Sequence, residues 1–135
     1  MATINSFEDL KVWQAARALN SRLYDILNEE DDKHSGFLIN HIFKTGGSVM
    51  DNIAEGFERD GSREFKQFLS FSKGSIGELR SQLYRALDRG ILSEFEFDEL
   101  HSACQSLGRQ CGSFMNYLKT TDIKGNKFTE PFEDY

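Results

Sequence analysis

The clearest helical signal in the chain lies in residues 93–119, which read SEFEFDELHSACQSLGRQCGSFMNYLK. Apolar side chains recur there at alternating spacings of three and four residues, at Phe97, Leu100, Cys104, Leu107, Cys111, Phe114 and Leu118. This spacing places all of them on one face of a helix. Ser93 with Glu96 three residues later is typical of a capping box, which predicts that the helix begins there.

Three earlier segments show the same helical period. We predict helices over about residues 8–30, 37–59, 62–89 and 93–119, followed by a short non-helical tail at 120–135. Short connections make consecutive helices antiparallel neighbours. The predicted fold class is therefore all-α, an antiparallel up-down-up-down four-helix bundle forming a single domain over residues 1–135.

The composition excludes several classes of protein. Hydrophobic residues make up 39% of the 135 residues and charged residues 28%, which is typical of a soluble globular protein and not of a disordered one. No stretch has the length of a membrane span or the pattern of a signal peptide. Cys104 and Cys111 would lie about 10 Å apart along one helix and could not pair. We therefore predict a cytoplasmic protein with no membrane partner.

Positive charge is concentrated in the third predicted helix, although the whole chain has a net charge of −6. Residues 62–90 hold six basic and three acidic side chains. Four of the basic residues are spaced by three, seven and seven and so share one stripe: Arg63, Lys66, Lys73 and Arg80. The stripe is either a face that is solvated or paired with a neighbouring subunit, or a phosphate-binding site for RNA or DNA. No aromatic residues interleave with it to support base stacking.

Small residues interrupt the second and third helices. Gly46 and Gly47 lie in the second helix, and Gly74 and Gly77 in the third. Because an interior glycine costs about 1 kcal/mol relative to alanine, we expect close helix packing at these positions, within the bundle or at a subunit interface. Phe71 is out of phase with the apolar face of its helix and favours an oligomer contact.

Three polar residues in an apolar setting share a face of the second helix: Asn52, Glu55 and Arg59. They form either a surface ion pair or a partly buried network that fixes helix register or a subunit contact. We favour the network, because Glu55 lies between apolar and small residues.

Catalytic and metal-binding patterns are weak. Asp31 with His34 and Asp98 with His101 have an acid-x-x-His spacing but lie near predicted helix ends, without a second carboxylate pair. Both cysteines occupy core positions, and no phosphate-loop, dinucleotide, hydrolase or zinc-protease motif is present. We predict no catalytic residues, no metal and no cofactor.

Residues 52–56, NIAEG, with Arg59, Phe65, Phe68-Leu69, Gly74-Ser75 and Glu78-Leu79 after them, resemble a bacterial four-helix-bundle family. That family is encoded in intervening sequences of large-subunit ribosomal RNA genes. The opening residues 7–15, FEDLKVWQA, also resemble its start. The resemblance implies a bundle that assembles into a ring, commonly a pentamer, with no established catalytic activity. The accessory protein of diversity-generating retroelements is similar and binds nucleic acid and a reverse transcriptase.

These features lead to one expected function and one alternative. We expect a non-catalytic, ring-forming homo-oligomer, with other copies of the chain as its partner, that acts as a scaffold or adaptor. The alternative is an RNA- or DNA-associated adaptor that binds phosphates through the basic stripe on the third helix.

Overall fold

The computed structural model describes residues 3–28, 35–121 and 129–131. A short 3-10 turn at Phe7–Asp9 precedes four helices: α1 (Lys11–Leu27), α2 (Gly36–Glu58), α3 (Ser62–Asp88) and α4 (Glu94–Lys119). Helix α2 packs against α1 and α3, and α4 packs against α3 and α1. The predicted all-α four-helix bundle is confirmed, and the described tail residues are not helical. None of the described helices is long and apolar enough to cross a membrane.

An aromatic cluster fills the bundle where α2 ends and α3 begins. The ring of Phe65 meets Phe57 edge-on at 5.8 Å between centroids and Phe114 at 5.0 Å. All three rings are almost completely buried. This geometry suits aromatic rings and ties α2, α3 and α4 together at one end of the core.

The first helix begins later than its sequence predicts. Ser6 accepts a hydrogen bond from the Glu8 backbone N–H and so caps the 3-10 turn. Leu10 then adopts an extended conformation and is completely buried, and α1 starts only at Lys11. Burial of Leu10 separates the turn from the helix, so α1 starts three residues after the predicted start at about residue 8. The predicted end at residue 30 lies outside the described residues.

The start of α4 follows the prediction. Ser93 Oγ accepts from the Glu96 backbone N–H at 3.1 Å, and the Glu96 carboxylate accepts from the Ser93 N–H at 2.9 Å. Both halves of the capping box are therefore formed. Before it, Gly90 has a φ of 74° and lets the chain leave α3 in the left-handed conformation.

The N-terminus of α1 is capped from the other end of the chain. Leu10 supplies no side-chain cap, and Glu130 instead accepts from the backbone N–H groups of Lys11 at 2.5 Å and Val12 at 2.8 Å. Glu130 is completely buried, and the adjacent Thr129 hydroxyl is 2.7 Å from the Tyr117 hydroxyl. A carboxylate at this position satisfies unpaired N–H groups and complements the helix dipole. The described part of the tail thus docks on its own chain.

Helices α2 and α3 approach each other closely at Gly56. A methyl group added there would lie 2.5 Å from the Phe68 Cβ and 3.1 Å from the Phe65 ring. Gly47 differs, because a methyl group at that position would meet nothing within 4 Å in the described structure. Only hydrogen fits at Gly56, whereas Gly47 leaves open space.

We expect the Glu130→Ala substitution to lower the free energy of unfolding by about 1–3 kcal/mol, because it leaves buried backbone donors of α1 unpaired. Urea titrations at one fixed protein concentration would measure the shift in midpoint. Glu58→Ala, at the exposed end of α2, is the matched control and should change stability little. Equal midpoints for Glu130→Ala and the unmodified protein would contradict the capping role.

We expect Gly56→Ala and Gly47→Ala to have opposite effects on stability. The first should destabilise the protein by about 1–3 kcal/mol, since the Phe68 backbone or side chain must move. The second should stabilise it by up to about 1 kcal/mol through helix propensity alone. Thermal unfolding of both variants side by side tests the difference, and a stabilised Gly56→Ala protein would refute the close approach.

Candidate functional site

Polar side chains link α2 and α3 along the line where the two helices meet, which we call the α2–α3 seam. Ser72 is completely buried and donates to the Val49 carbonyl at 2.7 Å. Nearer the surface, the hydroxyls of Ser48 and Ser75 lie 3.1 Å apart. These contacts hold the two helices in one register.

The predicted cluster of Asn52, Glu55 and Arg59 separates into two parts. Arg59 donates to Glu55 at 3.0 Å, and the two side chains are 48% and 53% exposed. Asn52 donates instead to the Ser48 carbonyl at 2.8 Å, one turn earlier in α2. Within this chain Glu55 and Arg59 face outward as an exposed pair, and Asn52 lies apart from them. Glu55 and Arg59 form the surface ion pair that the sequence predicts as the alternative. A subunit contact at these residues stays a prediction.

Phe71 lies at the outer edge of the α2–α3 seam. Its ring is 5.4 Å from that of Phe68, and its side chain remains 48% exposed. The Arg59 guanidinium covers Phe68 at 5.0 Å from the ring centroid. Phe71 thus extends an apolar surface outward from the core, as its position out of phase with the helix face predicts.

The glycines selected from the sequence have different surroundings. A methyl group at Gly46 would lie 2.7 Å from Asn20 Oδ1, and the Asn20 amide donates to the Gly46 carbonyl at 2.9 Å. Gly46 therefore lies in close contact with Asn20 of α1. At Gly47, Gly74 and Gly77 a methyl group would meet nothing within 4 Å in the described structure. An interface at those three positions stays a prediction.

The predicted basic stripe lies along a groove between α3 and α4, which we call the α3–α4 groove. Lys73 and Arg80 line a cavity of about 560 Å³. Arg63 and Lys66 line a second cavity of about 410 Å³, with Lys66 about two helical turns before Lys73 in α3. The structure therefore places all four predicted side chains at one groove.

Helix α4 contributes two basic residues that the sequence pattern does not indicate. Arg109 lines the larger cavity and Lys119 the smaller one. Both belong to a helix of mixed charge, so their proximity to the basic stripe depends on the packing of α4 against α3. The spacing of Arg109 and Lys119 along α4 does not indicate that they lie beside the basic stripe of α3.

The two cysteines are buried, as their core positions predict. Burial raises the pKa of each thiol to about 12. Arg80 near Cys104 and Ser72 near Cys111 lower the pKa, but by less than burial raises it. Both thiols are neutral at physiological pH, which is unsuitable for a nucleophile or a metal ligand.

The candidate acid-x-x-His pairs are not supported as a metal site. Asp98 is exposed, whereas the ring of His101 stacks on Phe97 at 5.1 Å and meets Tyr84 at 5.4 Å. No group of three or more potential metal ligands occurs among the described residues. Asp31 and His34 lie outside the described part of the chain.

We expect the native protein to react slowly with a thiol reagent such as Ellman's reagent at about pH 8, because thiols with a pKa near 12 remain protonated and buried. Absorbance of the released thiolate measures the rate. The same protein in denaturant is the control and should release two equivalents promptly, since the chain has two cysteines. Rapid reaction of the folded protein would contradict the inert role.

Comparison with known proteins supports both the fold and the family. The sequence matches the 23S rRNA-intervening sequence protein family over residues 8–113. Its structure is similar to the crystal structure of a protein of unknown function from the S23 ribosomal protein family of Bacteroides thetaiotaomicron, with a TM-score of 0.67 and 16% identity. The match covers 81% of this chain and 99% of the other. No curated protein matches the sequence. Because the family match extends over most of the chain, this protein belongs to the 23S rRNA-intervening sequence protein family.

Proposed function

We propose that this protein is a non-catalytic scaffold that works as a ring-forming homo-oligomer, with the α2–α3 seam as a contact between copies. The observation that carries this proposal is Phe71, which is 48% exposed beside the partly buried Phe68. An aromatic side chain that continues the core to the surface is typical of a protein contact. The resemblance to a family of ring-forming bundles supports a ring, and five copies are its expected size.

Gly74 provides a second argument at the same surface. It lies one turn after Phe71 on α3 and is exposed, and a methyl group there would meet nothing within 4 Å in the described structure. Glycine at this position costs helix stability without allowing any close packing inside the chain. Close approach of another copy would compensate for that cost, because a bare backbone next to an aromatic ring allows tight packing.

The exposed ion pair between Glu55 and Arg59 suits the edge of such a contact. Its two side chains are about half exposed, and opposite charges at an interface rim favour one orientation of the partner over others. The pair adds little stability to the isolated chain while it remains solvated. Its proposed role is therefore to select the orientation in which two copies meet.

The state of the thiols supports a non-catalytic role. The two candidate nucleophiles are buried, and their pKa values are raised to about 12. No group of three or more His, Cys, Asp or Glu side chains that could hold a metal ion occurs among the described residues. The scaffold proposal thus requires no chemistry from the side chains.

We expect light scattering across a size-exclusion peak to give a mass of about five times 15.5 kDa for the unmodified protein. Phe71→Asp should lower this mass, because a carboxylate would be buried without a partner at the contact. Gly74→Arg should lower it too, and the open space around Gly74 lets that variant fold. Circular dichroism of each variant would verify the helical content.

Phe95→Asp is the matched control for these variants. Phe95 is 79% exposed in the first turn of α4, and an acidic residue suits that end of a helix. This variant should keep the mass of the unmodified protein. A monomeric unmodified protein would refute the oligomer, and equal losses of mass for Phe71→Asp and Phe95→Asp would refute the α2–α3 seam as the contact.

A further inference from the structure

We propose that the α3–α4 groove binds the phosphate backbone of a single-stranded nucleic acid, independently of base sequence. Six basic side chains line the two cavities of this groove: Arg63, Lys66, Lys73, Arg80, Arg109 and Lys119. This site goes beyond the scaffold proposal, because it lies on the other side of α3 from Phe71. Three features of the groove favour this ligand: its positive charge, the small residues at its base and the lack of aromatic side chains in its lining.

The six basic side chains form a continuous cationic surface. From Arg63 to Arg80 the α3 backbone rises about 26 Å, so the charges follow a path of several nucleotides. Five of the six residues are exposed and Lys66 is partly exposed. Within the described residues none of them has a carboxylate within 4.0 Å, and no acidic residue lines either cavity. Positive charge without neutralising partners is what a polyanion requires.

The floor of the groove is made of small residues, which leave room for a strand. Gly77 from α3 faces Gly108 and Gly112 from α4 across the larger cavity. Gly77 and Gly112 have open space where a side chain would lie, and a methyl group at Gly108 would be 3.8 Å from Ile76. The glycines therefore keep the channel open, while the long basic side chains stand along it.

The same shape favours a single strand over a duplex. A flexible single strand can bend to follow the groove along α3, whereas the phosphates of a rigid duplex wind away from it. Polar side chains at the groove, Gln105 and Asn116, can donate hydrogen bonds to phosphate oxygens. No aromatic residue lines either cavity, so bases have no stacking platform and the contacts are with the backbone.

The net charge of −6 is compatible with this local site. Three acidic residues occur in the α3 segment 62–90, and none of them lines the groove. At physiological salt the repulsion between exposed like charges is screened beyond about 8–10 Å. Acidic residues farther than that from the groove therefore have little effect on a polyanion bound in it. Binding should therefore be weaker than for a basic protein but confined to one surface.

The test is fluorescence anisotropy of a labelled single-stranded oligouridine of about 20 nucleotides, titrated with the full chain at several salt concentrations. We expect binding that weakens with salt from about 50 to about 200 mM. A mixed-sequence strand of equal length should bind within about twofold, and a duplex of equal length more weakly. No binding at the lowest salt, or tighter binding of the duplex, would overturn the proposal.

Two matched double variants locate the site. Arg80→Glu with Arg109→Glu reverses two charges in the groove and should weaken binding at least about tenfold, lowering the slope of log Kd against log salt by about 1.4. Arg85→Glu with Arg89→Glu makes the same change in net charge at exposed positions of α3 and its C-cap that line neither groove cavity. Equal weakening by both variants would overturn the groove as the site.

Gly112→Leu tests the shape of the groove without changing its charge. The open space at Gly112 and the higher helix propensity of leucine predict a folded and more stable protein. We expect weaker binding of oligouridine at unchanged net charge, because the side chain fills the channel. Unchanged affinity in a folded Gly112→Leu protein would overturn a strand lying along the floor.

Discussion

The rest of the bundle depends on the close approach of α2 and α3 at Gly56. A methyl group there would lie 2.5 Å from Phe68 Cβ, so the two helix backbones meet at the distance that glycine allows. The neighbouring Phe57 and Phe65 then stack edge-on, and Phe114 of α4 closes the cluster. Further along, Ser72 donates to the Val49 carbonyl inside the core. One steric contact and one buried hydrogen bond thus help to fix the register of α2 against α3.

The sequence predicts the helices well because each is long and strongly periodic. The start of α1 is less well predicted, because Leu10 is buried in an extended conformation and separates the 3-10 turn from the helix. The cap on α1 could not be found at all from local patterns. Glu130 reaches it from 118 residues away, and a glutamate next to a proline has no periodicity that marks it. Helix existence is a local property, whereas caps from distant residues depend on tertiary packing.

The glycines of the candidate site also show that local sequence patterns do not reveal every tertiary contact. Gly46 and Gly47 are adjacent in the sequence, yet only Gly46 is in close contact with another helix in the described structure. A signal was present, because Gly46, Val49, Ile53 and Gly56 follow one apolar row at spacings of three and four residues. That row identifies the two close-packed glycines and leaves Gly47 outside it. The basic stripe on α3 was predictable for the same reason, whereas Arg109 and Lys119 join it only through the packing of α4.

Helix α3 has a different surface on each of its two flanks. Phe68 and Phe71 lie on the flank next to α2, and Lys73 and Arg80 lie on the flank next to α4. In the proposed assembly, contact between copies through the first flank leaves the second one open to solvent. A ring then repeats the groove once per copy, and a strand bound in one groove raises the effective concentration of its neighbouring segments at the next. The proposed ring would multiply the small number of phosphate contacts per copy, so that weak binding by each groove of an acidic chain would add up to strong binding.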